Sequence, residues 1–390
     1  MQISDTPPLH LTYCLNVHKG ESWEENFAAI REHALAVRDR VAEGKKFGLG
    51  LRLSARAAQE LLAPGKLEEA RDFFAANGLY AFTINGFPYG QFHAGRVKEN
   101  VYKPDWRSVE RRDYTLALAK ILAALLPEGI DGSISTVPCA FKEWITTDAD
   151  VEQMVANLVD CARALHEIRE STGKEIHLGL EPEPSCFLEN TDETVRFLNE
   201  MLFSAASKTL SEEILRRHIG VCFDTCHVAI QFEPLQFALE RYQAEGIRIS
   251  KIQVSAALRG HCTPTTYEEL QSFCEPVYLH QVKAGTTAGK ILSWDDLPDA
   301  LRELPAHTEA RELRVHFHVP LFVERYWALG STGSLLSSEF FEAVRAGATS
   351  HLEIETYTFD VLPEDLRAGG ITHSIAAEFH WLLAKMQNPA

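Results

Sequence analysis

Ile176-His-Leu-Gly-Leu-Glu181-Pro-Glu183-Pro and Ile219-Gly-Val-Cys-Phe-Asp224-Thr-Cys-His227 are two short apolar runs that each stop at a carboxylate. Runs that are apolar at nearly every residue, rather than at every second one, mark parallel strands covered on both faces. Runs at 10–15, 47–53, 80–85, 132–137, 249–255 and 352–356 read the same way, which brings the expected strands to eight. Amphipathic stretches fill the gaps. Ser22-Trp-Glu-Glu25 has capping-box spacing and opens a helix to about Ala42. Residues 106–126, 149–170 and 191–206 carry helical periodicity, 61–77 holds one more helix stopped by Gly78, and 371–386 closes the chain. Eight strand–helix alternations predict an α/β protein of the (β/α)8 TIM-barrel class.

The chain has 390 residues, against about 250 for a typical barrel of this kind. The excess falls between the seventh and eighth strands. We therefore expect a single domain over 1–390 with a long insert at 256–351 before the last strand, an elaborated loop on the catalytic face. The insert carries its own apolar run, Val315-His-Phe-His-Val-Pro-Leu-Phe322.

Composition narrows the function. Apolar residues at 45% and charged residues at 24% exclude a disordered or collagen-like chain. A formal charge of −17 argues against nucleic acid as a partner, because that affinity is built from Lys and Arg on phosphates. No apolar run reaches the roughly 20 residues needed to span a bilayer, and Met1–His10 shows no secretory pattern. The eight cysteines contain no CxxC pair and read as reduced thiols. A cytoplasmic protein with a small-molecule metabolite as its partner is the expectation.

Barrel chemistry sits where strands end in loops at the C-terminal face. There the fifth strand offers Glu181, the sixth Asp224, the seventh Gln253 and the eighth Glu355. Carboxylates crowded in an apolar mouth repel each other, and a divalent cation relieves that cost. Oxygen ligands suit Mn or Mg; imidazole nearby shifts the preference toward Zn, Fe or Co. Glu353 and Glu355 share one face of their strand and differ only in depth; Glu355, at the strand end, is the better ligand. Pro182 ends the fifth strand at Glu181 and leaves Glu183 in the loop. His316 and His318 alternate onto one face, either as an edge-strand pair or as part of the mouth. His93, Phe87, Tyr89, Phe92 and Trp144 lie near the mouth, either as loop packing or as a platform for a ring or sugar face.

Gly220–His227 resembles the metal-binding strand of the xylose-isomerase-like barrels, a superfamily of sugar isomerases, epimerases and apurinic-site endonucleases. Gly179-Leu-Glu181 and Ile354-Glu-Thr356 resemble its two glutamate strands. Over nearly the whole chain, Leu11-Thr-Tyr-Cys-Leu-Asn-Val-His-Lys-Gly-Glu-Ser-Trp23, Gly48-Leu-Gly-Leu-Arg-Leu-Ser54, Asn85-Gly-Phe-Pro-Tyr-Gly90 and Ser133-Ile-Ser-Thr-Val-Pro138 resemble the EboE "metabolite traffic" proteins. The resemblance implies Glu181, Asp224, Gln253 and Glu355 as metal ligands, with Gln253 standing where many members have His. It implies His227 as a contact to a second metal or to substrate. His316-Phe-His318 is loosely similar to the Asp-x-His of the multi-zinc endonucleases.

The leading reading is a metal-dependent isomerase or epimerase of a sugar or polyhydroxylated carbonyl metabolite, proceeding through an enediolate. Glu181 and Glu355 would shuttle the proton, with His227, His93, Trp144 and His318 lining the substrate site. A non-catalytic metabolite-binding or traffic protein is the alternative, and an apurinic-site endonuclease is less favoured. The resemblance adds a second copy of the chain, or other products of the gene cluster that encodes the EboE proteins, as partners.

Overall fold

Strands buried on both faces must satisfy their backbone groups by pairing side by side. The computed structural model describes residues 1–93, 95–367 and 369–387. The domain expected over 1–390 thus includes positions 94, 368 and 388–390, which lie outside the described residues. Eight parallel strands form: β1 Pro8–Tyr13, β2 Phe47–Arg52, β3 Leu79–Asn85, β4 Gly132–Thr136, β5 Ile176–Leu180, β6 Ile219–Asp224, β7 Ile249–Val254 and β8 His351–Ile354. They follow chain order around the sheet, with β8 between β7 and β1. A parallel bridge from Cys14 to Gly50 joins the end of β1 to β2 and closes the cylinder. This is the (β/α)8 barrel that the alternation predicts, with strand ends displaced by at most two residues.

The helices depart from expectation where local geometry intervenes. Ser22 and Glu25 form the expected capping box. The helix it opens is Trp23–Ala29 and Leu35–Val41, joined by a wider π turn at Ile30–Ala34. The stretch at 61–77 holds only Lys66–Ala76, because Gly65, at φ +81°, sets it apart from a preceding helix Ala55–Leu61. No helix among the described residues is long and apolar enough to cross a membrane. All eight cysteines are free.

Between β7 and β8 the chain builds a second sheet. Its six antiparallel strands run in the order Ile291–Trp294, Val282–Thr286, Ala310–His318, Ala257–His261, Leu329–Ser331 and Arg325–Tyr326. Expecting a loop here missed the sheet, because several of its strands are only two to five residues long. The pairing of Ala310–His318 with Ala257–His261 slips register between Val315 and His318, the kind of irregularity that re-aims side chains.

Beneath the barrel mouth, Lys251 Nζ lies 2.5 Å from Glu353 Oε2, and neither side chain is exposed at all. Gly50 makes room for this pair. A Cβ there would stand 2.1 Å from Glu353 Oε1 and 2.7 Å from the Tyr13 carbonyl oxygen. Gly50→Ala is therefore expected to cost about 1–3 kcal/mol through overpacking. Denaturant unfolding checks this, and a midpoint equal to wild type would contradict the packing described.

Burial, with neighbouring positive groups, lowers His10 from 6.5 to about 4 and His177 likewise to about 4, and burial lowers His218 to about 4. The unfolded chain thus takes up these protons first. The stability they contribute is complete above about 6.5 and is lost as pH falls toward 4. Imidazole proton NMR checks this: the three rings are expected to stay neutral down to pH 5, and titration of any of them above pH 6 would refute their assignment as neutral buried rings.

Candidate active site

Three carboxylates meet at the C-terminal end of the barrel. Glu181 directly follows β5, Asp224 ends β6 and Glu355 directly follows β8. One carboxylate oxygen from each lies within 4.8 Å of the others, and all three residues are buried. Asp224 caps the helix Thr225–Ile230: its Oδ1 accepts from the Cys226 and His227 amides at 2.7 and 3.1 Å and from Ser255 Oγ at 2.7 Å. Its Oδ2 has no partner, nor has Glu181 Oε2. Glu355 Oε1 accepts from Asn16 Nδ2 at 2.7 Å and Asn85 Nδ2 at 3.0 Å. Burial, with Asp224 adding its charge, pushes Glu181 well above the usual carboxylate range. Burial, then the charges of Glu181 and Asp224, do the same to Glu355. Burial also pushes Asp224 up, but His227, His318 and the hydrogen bonds to Oδ1 outweigh it and hold this carboxyl low.

Above the carboxylates stand three imidazoles whose tautomers are fixed. His227 Nδ1 lies 3.0 Å from the Pro182 carbonyl oxygen, and His318 Nδ1 lies 2.9 Å from that of Glu355. A carbonyl only accepts, so both Nδ1 atoms carry the proton. His316 Nδ1 donates to Gln281 Oε1 at 2.6 Å; the Gln281 amide nitrogen is committed to the Pro184 carbonyl and to Tyr102. The Nε2 atoms of His227 and His316 face each other 3.1 Å apart, and His318 Nε2 has no partner. Burial and the neighbouring imidazoles push His316 well below its ordinary value, and burial lowers His318 to about 4. Rings anchored through Nδ1 with Nε2 turned inward are what a metal ion requires of histidine.

Glu183 completes a further group with His227 and His316, again within 4.8 Å, and Asp224, His227 and His318 form another. Tyr102 donates to Glu183 Oε1 at 2.7 Å. Glu183, Tyr102, Gln281 and Asn16 were not among the expected site residues. The proline on each side of Glu183 was the one available signal, because it stops the strand and lets the loop turn this carboxyl inward.

Gln253 lies in the barrel beside Cys222, whose Sγ is 3.0 Å from its Oε1; its Nε2 is unpaired. The cavity over the carboxylates measures about 50 Å³ and is lined in part by Phe87, Phe92, Tyr278 and Tyr357. His93 stands one layer behind this lining, accepting from or donating to the Tyr278 hydroxyl at 2.8 Å and bonded to the Asn16 carbonyl at 2.5 Å. Trp144, expected to line the substrate site, does not. The short turn Lys142–Trp144 lays its indole against Phe141, ring centroids 5.3 Å apart, and behind Tyr102.

No family model matches the chain, and no curated protein sequence matches it. Solved structures that align with it include the probable 3-DHS dehydratase AsbF, involved in petrobactin synthesis, from Bacillus anthracis: 12% identity over 96% of this chain and 98% of that one, TM-score 0.49. The IOLI protein, solved with a binding zinc atom, is 13% identical over 98% and 99%, TM-score 0.49. A xylose isomerase domain protein from Alicyclobacillus acidocaldarius subsp. acidocaldarius is 13% identical over 97% and 98%, TM-score 0.46. Identities this low establish neither substrate nor reaction for this chain.

Proposed function

We propose that the chain is a divalent-metal-dependent isomerase or epimerase of a polyhydroxylated carbonyl metabolite, a xylose-isomerase-like barrel of the EboE type. One observation carries the reading: Glu181, Asp224 and Glu355 converge within 4.8 Å while two of their buried oxygens lack any partner. The donor set fits a divalent cation, because three like charges in a dry site are costly without one. Glu181, Asp224 and Glu355 would hold it, with Gln253 beside them. The imidazoles His227, His316 and His318 above favour Zn or Co over Mg among the candidates, with Mn between. Bound there, the ion would supply Lewis acidity that polarises a carbonyl oxygen.

The chain's own residues divide the proton work. Two amide N–H groups on Glu355 Oε1 oppose the upward push of burial on this carboxyl, and with a cation beside it they would support the anion that removes the proton next to the carbonyl. Glu181 Oε2 has no donor, which would leave this oxygen free to carry the proton returned to the enediolate. His227 orients a substrate oxygen from above, and the aromatic lining excludes water.

The test is a panel of aldoses, ketoses and their epimers, assayed with chelator-stripped and metal-restored protein. Interconversion that vanishes on stripping and returns with Zn, Co or Mn is expected. Ligand retention without turnover by any metal form would replace this reading with a metabolite-binding or traffic role.

A further inference from the structure

Resting on the polyhydroxy-carbonyl reading, we propose that the site selects small unphosphorylated substrates and rejects their phosphate esters. Apart from the amide donor Gln253 Nε2, the unpartnered buried atoms around it are acceptors: Glu181 Oε2, Asp224 Oδ2, Asn16 Oδ1 and His318 Nε2. The atoms not taken by a cation need donors, and hydroxyl groups are donors. A phosphate monoester is largely dianionic above its second pKa of about 6 and brings only acceptors.

The charge balance points the same way. Glu181, Glu183 and Glu355 line the cavity, and among its described lining residues Lys98 is the sole Lys or Arg. Lys98 is not free to meet an anion. Its Nζ lies 2.7 Å from Asp296 Oδ2 and 3.3 Å from the Glu275 carbonyl oxygen, and its side chain is buried. The backbone amides of Val97 and Lys98 both donate to the Val277 carbonyl at 2.9 Å, which fixes this segment against the insert. A built phosphate site would offer an uncommitted guanidinium, ammonium or helix N-terminus. Here the single ammonium is neutralised by a partner from the insert. Size agrees: about 50 Å³ holds roughly three or four water-sized probes, so the occupant is a short chain whose C–H faces meet Phe87, Phe92 and Tyr357.

Titration calorimetry on the metal-loaded protein decides the matter with matched pairs: dihydroxyacetone, erythrose and xylulose, each against its terminal phosphate. The unphosphorylated member is expected to bind at least tenfold tighter in at least one pair, and inorganic phosphate is expected not to compete. Asp296→Asn, which releases Lys98, is expected to narrow that gap at least threefold. A phosphorylated member that binds tighter, competition by inorganic phosphate, or an unchanged gap in Asp296→Asn overturns the proposal and leaves the isomerase reading standing. If no member of any pair binds while the metal does, the polyhydroxy-carbonyl reading falls as well.

Discussion

Lys251→Met is expected to destabilise the protein by about 3–5 kcal/mol, the cost of stranding one partner of a fully buried ion pair. Glu353 would be left at the bottom of the barrel with no counter-charge, its Oε1 already without a hydrogen-bond partner. Pairing the change with Glu353→Leu is expected to recover most of the loss, since similar-sized apolar groups replace such pairs at little cost. The effect reaches the site above. Lys251 is one of the positive groups that counter the upward push on Glu181 and Glu355. The single variant should therefore also push both carboxyls further up. Denaturant unfolding of the single and double variants gives the coupling. Equal stability of Lys251→Met and wild type would show that the pair is not held as described.

Glu355→Gln is expected to lower turnover by about 10²- to 10⁴-fold, the usual contribution of a positioned general base. Glutamine keeps an amide oxygen that can accept from Asn16 and Asn85, so the unfolding midpoint should stay near wild type. Turnover is measured on whichever sugar pair the wild-type panel identifies. A variant with wild-type activity would remove Glu355 from the proton transfer. A variant that is inactive and also strongly destabilised would instead mark it as structural.

Much of this architecture was written in local residue patterns. The eight barrel strands announced themselves because burial on both faces keeps most of their positions apolar or small; β2, β6 and β7 have every residue buried. Glu181, Asp224 and Glu355 stood out as carboxylates ending such runs. The ambiguity between Glu353 and Glu355 was one of depth, and depth is what separates the ion pair with Lys251 from the carboxylate cluster. What stayed hidden depends on distant contacts. Lys251 reads as a surface residue until a strand 102 positions away supplies its partner. Glu183 reads as a loop acid until Tyr102 and Gln281, from two other segments, hold it. Trp144 looked suited to the mouth by sequence proximity alone, but Tyr102 occupies the inner position. The insert's sheet pairs strands up to some seventy residues apart, a distance over which local alternation carries no information.

The chemistry of this site turns on one cation held between strand ends that are far apart in sequence. An anomalous difference map from crystals grown with Zn²⁺, collected on both sides of its absorption edge, tests it most directly. A peak bounded by Glu181, Asp224 and Glu355 is the predicted result. A clean map at that position from metal-saturated protein, with these three carboxylates still in place, would contradict the account.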